Sequence, residues 1–329
     1  MISFQLDVED LADTRFAISP LQEALFSVWT LRDPGRYPLH LPWRRSVLSQ
    51  LDTVDRRLLL SLVGETRALP DFLTPRPTTS ARSIEEQLAG VRGTPPDIVC
   101  RDMVATHAPG RLPDVLHEVS APGEKSVIAL VDTICDLLQR YWDMAFMPMW
   151  PQMRLVLEAD ITHRARQLAT GGARLLFSDM HPNLRWRDGV LHIDKMAATH
   201  RVTAAGRGLL LVPSVFAYKP VPPLSPDEPP MLAYPSRGIA TLWAEAPAAD
   251  TTALASLLGV PRARMLGMLG DPLSTADLAH RLRVTPSAVS QHLQVLYATG
   301  LVTRARDGRR VMYRRSPLGN QLAGQDPQS

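Results

Sequence analysis

A chain of 329 residues with 45% hydrophobic and 21% charged residues suffices for two ordinary domains, each with its own core, and argues against wholesale disorder. No run of about 18 uninterrupted apolar residues occurs, so no membrane span or membrane partner is expected. Met1 to Asp7 lack the basic-then-apolar order of a secretory signal, and a cytoplasmic protein is expected. The net charge of +3 conceals a segregation: from Arg262 to Arg315 ten arginines face three aspartates, a balance of +7, against −4 for the remainder. Such an asymmetry places positive potential on one small region, as a polyanion-binding module requires, although a basic surface without a partner carries the same charge. The two cysteines, Cys100 and Cys135, are far apart, which argues against a disulfide framework or a thiolate zinc site and for two buried thiols.

In chain order, Ile2, Phe4 and Leu6 alternate with polar residues and predict a short strand. Ser19-Pro20 reads as an N-cap and first helical position for a helix through Leu31. Val47 to Val63 and Ser83 to Val91 carry helical periodicity, with Pro-rich turns between them. The longest helical pattern runs from Glu124 to Thr170, broken at Pro148 and Pro151 and closed by Gly171-Gly172. The period then changes. Leu184 to Asp194 predicts a hairpin about Asp188-Gly189; Gly208 to Phe216 and Met231 to Trp243 predict further strands. Lys219 to Pro230, with six prolines, suits neither a helix nor a central strand. These readings define a protein that is mainly α with a small β component (α+β). The first domain spans residues 1–246, for sensing or dimerisation, and the second spans 247–329, with the boundary near Pro247.

The second domain carries the functional signal. Asp250 or Thr251 can cap a helix bearing Leu254, Leu257 and Leu258, and Pro261 opens another with Met265, Leu266 and Leu269, stopped at Gly270-Asp271-Pro272. Ser274 to Asp277 form a capping-box variant before Leu278, Ala279 and Leu282. After a turn at Arg283-Val284, Thr285-Pro286 opens a third helix whose buried stripe is Val289, Leu293 and Leu296, ended by Gly300. Its polar face holds Ser287, Ser290, Gln291 and Gln294, with His292 at the edge, and no formally charged residue occurs between Pro286 and Ala298. Short hydrogen-bonding side chains near a helix N-terminus can reach base edges in a major groove, where an acidic residue would repel the polyanion. A second Asp-Gly hairpin follows, with Arg304 and Arg306 before the tip and Arg309, Arg310, Arg314 and Arg315 after it, a wing suited to phosphates or a minor groove. Any one of these features is common, but their order is specific to a winged helix-turn-helix. The expected DNA-binding set is Thr285, Ser287, Ser290, Gln291, His292, Gln294, Arg304, Arg306, Arg309 and Arg310.

The segments Ser274-Thr275-Ala276-Asp277-Leu278-Ala279, Thr285 to Leu293 and Leu296 to Val302 together resemble the ArsR family of bacterial winged-helix regulators. Ser-x-His-Leu-x-x-Leu in the third helix and Gly300-Leu301-Val302 before the wing carry most of the likeness, which covers about residues 250 to 322. The resemblance implies a homodimeric, repressor-type regulator of double-stranded DNA. The long N-terminal region is similar to the extension domains of some actinobacterial members. Metal-sensing members place a Cys-x-Cys pair where Thr275-Ala276 stands here, so a thiolate sensor at that position is excluded by residue type.

Other chemistry is less well supported. His192, Asp194 and His200, with His163, Asp179 and His181 nearby in sequence, could supply nitrogen and oxygen ligands, but the spacing is not diagnostic and dispersed surface histidines account for it. No Gly-x-Ser-x-Gly, Walker or Rossmann pattern occurs. No enzymatic activity, cofactor or metal is therefore expected. The Met- and Trp-rich stretch from Trp142 to Trp150 suits core packing, or an apolar pocket for a small-molecule effector. Two alternatives stay open: a winged helix that binds another protein without an operator, and an enzyme fused to a DNA anchor.

Overall fold

The computed structural model describes residues 1–77, 83–119, 123–196, 198–243, 251–307 and 310–323, with backbone only at 251–253, 307 and 310. The chain divides into two units, Met1–Trp243 and Ala244–Ser329. The expected boundary residue Pro247 and the expected cap Asp250 lie outside the described residues.

In the first unit, β1 (Ile2–Gln5) buries Ile2 and Phe4 and is followed by α1 (Val8–Ala12) and β2 (Arg15–Phe16). Helix α2 (Pro20–Arg32) starts where the Ser19 hydroxyl accepts the Gln22 N–H, and it is buried nearly all round, as a central helix must be. The helix expected over Val47–Val63 is two, α3 (Leu41–Gln50) and α4 (Thr53–Ser61). The Asp52 carboxylate takes the N–H groups of Val54 and Asp55 and so starts a new helix inside the periodic run. Helix α5 (Ile84–Arg92) has Ser83 as its cap. Helix α6 (Pro96–His107) was not expected, because Pro95-Pro96 looks like punctuation; Pro96 instead occupies the first turn, where no N–H is needed.

Helices α7 (Glu124–Ala145) and α8 (Trp150–Ser178) are separated at residues 146–149, so Pro148 lies in the break while Pro151 lies in the first turn of α8. Gly171-Gly172 does not close α8 as expected. Gly172, at φ 62°, kinks it, and the helix resumes to bury Ala173, Leu176 and Phe177 against the sheet side of the unit.

The hairpin of β3 (Leu184–Arg187) and β4 (Val190–Ile193) turns at Asp188 and Gly189, at φ 50° and 77°, the paired left-handed geometry of a tight two-residue turn. Strand β5 (His200–Thr203) had no sequence signal. It pairs parallel to β1, Phe4 opposite Val202, and completes a four-stranded sheet in the order β3-β4-β1-β5. Strands β6 (Leu210–Ser214) and β7 (Met231–Pro235) join β2 in a parallel three-stranded sheet. The strand expected to reach Trp243 ends at Pro235. The Ser236 N–H still bonds the Ser214 carbonyl, but Gly238 at φ 78° turns the chain into a 3-10 segment, Ile239–Trp243.

One core gathers around α2, α5 and α7 and a second lies between the end of α8 and the four-stranded sheet. Glu23 is buried in the first, its carboxylate accepting the Val215 N–H at 2.9 Å, and burial pushes its pKa up to about 8. The folded chain thus holds a protonated Glu23 at neutral pH, whereas the unfolded chain ionises near 4.5. Stability from this group is complete below that value and is lost as pH rises through 8. Glu23→Gln should therefore flatten the decline between about pH 5 and about pH 8 by up to about 1.4 kcal/mol per pH unit. Denaturant titrations of both proteins across the window measure this; parallel curves would refute it.

The second unit is α9 (Thr251–Leu258), α10 (Val260–Met268), β8 (Leu273–Ser274), α11 (Thr275–Leu282), α12 (Pro286–Ala298), β9 (Val302–Asp307), β10 (Arg310–Arg315) and α13 (Pro317–Leu322). Its core joins Met265, Leu266 and Leu269 to Leu278, Val289, Leu293 and Leu296. Strand β10 is central in a three-stranded sheet, β8-β10-β9. Gly319 is required at the close approach of α13: a Cβ there would stand 2.1 Å from the Leu301 carbonyl oxygen. The whole chain is thus α+β, mainly helical with several small sheets.

Candidate nucleic-acid interface

Local chemistry sets the angle between α11 and α12. The Ser274 hydroxyl accepts the Asp277 N–H while the Asp277 carboxylate accepts the Ser274 N–H, a reciprocal capping box that starts α11. Arg283 ends it in the left-handed region, at φ 55° and ψ 46°. Two residues later Thr285 is extended, and its hydroxyl accepts the Ala288 N–H to start α12. Gly300, at φ 71°, closes α12, with the Leu301 N–H on the Leu296 carbonyl.

Val289, Leu293 and Leu296 are buried at 1% exposure or less and fix which side of α12 faces outward. At 3.6 residues per turn, Ser287, Ser290, Gln291 and Gln294 form one continuous stripe opposite them. Ser287, Gln291 and Gln294 are exposed and Ser290 is half-buried. His292 is half-buried and lies off this stripe, on the flank with Ala288 and Val295. Thr285 is exposed at the helix start, where its oxygen serves as the cap and its proton is left to donate outward.

In the hairpin, Arg304 opposes Tyr313 and Arg306 opposes Val311, so both arginines share a strand face with Val302 and Arg315. Arg306 is exposed. The Arg304 guanidinium lies over the Tyr297 ring of α12, 4.4 Å from its centroid, which ties the hairpin to the exposed side of that helix. Arg315 is not a surface cation as the sequence suggested. It is 7% exposed, with its guanidinium against Gly270, because Val302 and the strand base pack into the core. Arg314 is exposed on the opposite face and its Nε donates to the Gly270 carbonyl. Gly308 and Arg309, at the expected Asp-Gly tip, lie outside the described residues, and of Arg310 only the backbone is described.

Tyr297 is the residue that sequence reasoning missed, because its partner is set by the sheet; the available signal was an aromatic three residues after Gln294 in an otherwise polar row. Arg281 and Arg283 are likewise exposed at the turn between α11 and α12. Among the described residues no three His, Cys, Asp or Glu side chains converge as a metal site. Asp194 instead accepts from two nitrogens of the Arg185 guanidinium, Nε at 2.7 Å and Nη2 at 3.0 Å. No helix is long and apolar enough to cross a membrane among the described residues.

A family described as a helix-turn-helix domain matches residues 261–305. The second unit carries a helix-turn-helix domain. The matched span takes in α10 from Pro261, α11, α12 and β9 as far as Ala305, so the capped turn at Arg283–Thr285 lies inside it. The crystal structure of a possible transcriptional regulator for arsenical resistance matches with 36% identity, over 22% of this chain and 76% of that one, at a TM-score of 0.19. No curated protein matches the chain. A helix-turn-helix domain with an uncharged outward face on its second helix is a DNA-binding module of the kind that transcription regulators carry.

Proposed function

We propose that the protein is a sequence-specific transcriptional regulator, not an enzyme, that reads operator DNA with α12 while the β9–β10 hairpin acts as a wing on the flanking backbone. The observation that carries this reading is the uncharged stripe Ser287, Ser290, Gln291 and Gln294, exposed but for the half-buried Ser290, on a helix whose Tyr297 lies under the Arg304 guanidinium. A solvated helix face without a partner has no need to exclude Glu and Lys over 13 residues. Thr285 and the amides of the first turn suit a phosphate, the stripe suits base edges, and the sequence adds Arg309 and Arg310 as further phosphate ligands. His292, off the stripe, is assigned to the margin of the groove.

Binding as a homodimer follows from half-site geometry, in which two recognition helices stand about 34 Å apart. Leu257 and Val260, 72% and 57% exposed, supply apolar surface that a second copy of α9 and α10 could cover. The ArsR-family resemblance supports a repressor type, with residues 1–246 serving sensing or dimerisation. Selection of bound duplexes from a random pool, by the full chain, should enrich one near-palindromic sequence with half-sites about one DNA turn apart. Recovery of an unenriched pool would sink sequence-specific reading, and capture with no DNA at all would favour a protein-binding helix-turn-helix.

A further inference from the structure

The first unit contains a cavity of about 100 Å³ lined by residues outside the helix-turn-helix domain. Its walls come from α2, from residues 66–74, from the Pro-rich segment and from β7, and most of the lining is apolar. Two lining side chains are exceptions with a chemical meaning. Gln22 and Trp29, two turns apart on the same face of α2, are each 2% exposed. Gln22 Nε2 reaches only the Met231 sulfur, at 3.6 Å, and both Gln22 Oε1 and Trp29 Nε1 lack a hydrogen-bond partner among the described residues. A buried N–H and a buried carbonyl left unmade cost free energy, and here both belong to residues that line the cavity.

The charges at the cavity favour one sign. Arg67 is paired with Asp33, Nη2 to Oδ2 at 2.6 Å, an oxygen that also takes Arg36 Nε at 3.1 Å. Asp71 accepts the N–H groups of Leu224 and Ser225, at 2.9 and 2.8 Å, and so pins the Pro-rich wall instead of facing a ligand. Lys219 has its Nζ 5.7 Å from the Tyr218 ring centroid and no ion-pair partner among the described residues.

We propose that this cavity is a ligand site for a small, mainly apolar monoanion about one ring in size, with an acceptor for the Trp29 indole N–H, a donor for the Gln22 carbonyl, and its negative charge toward Lys219. Engineered apolar cavities of about 150 Å³ hold benzene, and this one, at about 100 Å³, is smaller, so it admits no more than a single ring, with the charged group at the mouth. The probes are 4-hydroxybenzoate and 4-hydroxyphenylacetate, titrated calorimetrically into the full chain, with 4-hydroxybenzylamine as the charge-reversed control. One acid should bind saturably at one per chain and raise the unfolding temperature with concentration, and the amine should bind more weakly. Trp29→Phe keeps the ring and removes the donor, and Lys219→Met removes the charge; each should weaken binding roughly five- to tenfold. The Trp29 indole N–H resonance, assigned by its absence in Trp29→Phe, should move at saturation. Should that variant fail to fold, Lys219→Met and the amine control still decide. Absence of saturable binding by both acids, or affinities unchanged in Lys219→Met and equal for the amine, would overturn the proposal. No DNA enters these measurements, so their failure would leave the operator reading untouched.

Discussion

Gln291→Ala is expected to lower operator affinity about 10- to 100-fold while leaving binding to unrelated duplexes and the salt dependence almost unchanged. Gln291 is exposed at the centre of the α12 stripe, and a well-aligned side chain to a base edge contributes about 1–3 kcal/mol of discrimination. The group is neutral, so its removal releases no counterion. Arg306→Ala is the complementary change. Its guanidinium is exposed and in no ion pair among the described residues, so its loss should weaken binding to every duplex and reduce the slope of log affinity against log salt by about one unit. Arg304→Ala should do the same and also loosen the hairpin, because its guanidinium sits on Tyr297. Isotherms at several salt concentrations, on operator and scrambled DNA, separate these effects. If Arg306→Ala were silent on all of them, or Gln291→Ala weakened all DNA alike, the division of roles between helix and wing would be wrong.

Arg164→Met is expected to destabilise the first unit by about 3–5 kcal/mol, the usual cost of leaving a buried charge without its counter-charge. Arg164 is 1% exposed and donates to Gln167 and Asp179, while its Nε stands 3.9 Å from Asp160 Oδ1. Asp160, 2% exposed, also accepts the Tyr234 hydroxyl at 2.8 Å and the Arg237 N–H at 3.1 Å. Methionine fills the stem volume but leaves the buried Asp160 carboxylate with two neutral donors and without the Arg164 counter-charge. Adding Asp160→Asn should recover part of the loss, since an amide oxygen can still accept from Tyr234 without carrying charge. Denaturant unfolding of both single variants and the double variant gives the coupling. A single-variant loss below about 1 kcal/mol would show that the pair is solvated in practice.

Much of the helix-turn-helix domain was legible because its determinants are local. Ser274 with Asp277, and Thr285 with the Ala288 amide, act over three residues, and Gly300 needs only its own backbone. The period of Val289, Leu293 and Leu296 then selects which side of α12 is left outward, and with it the candidate site. The same short reach makes Asp188-Gly189 a turn and Ser19 a cap.

What escaped the sequence depends on partners far along the chain. Strand β5 exists because Phe4 lies opposite Val202, and the helix through Gly172 resumes because Leu176 and Phe177 find the sheet. Arg315 reads as one more basic residue until the base of β10 carries it inside, and Arg304 becomes a clamp on Tyr297 only when hairpin and helix meet. Likewise, nothing in Gln22 or Trp29 alone marks a cavity; it arises where α2, Asp71 and the Pro-rich segment converge. Caps, turns and periodicity act within a few residues and are therefore determined by the sequence itself. Pairing, burial of charge and empty space depend on which distant surfaces meet, and only the tertiary structure decides that.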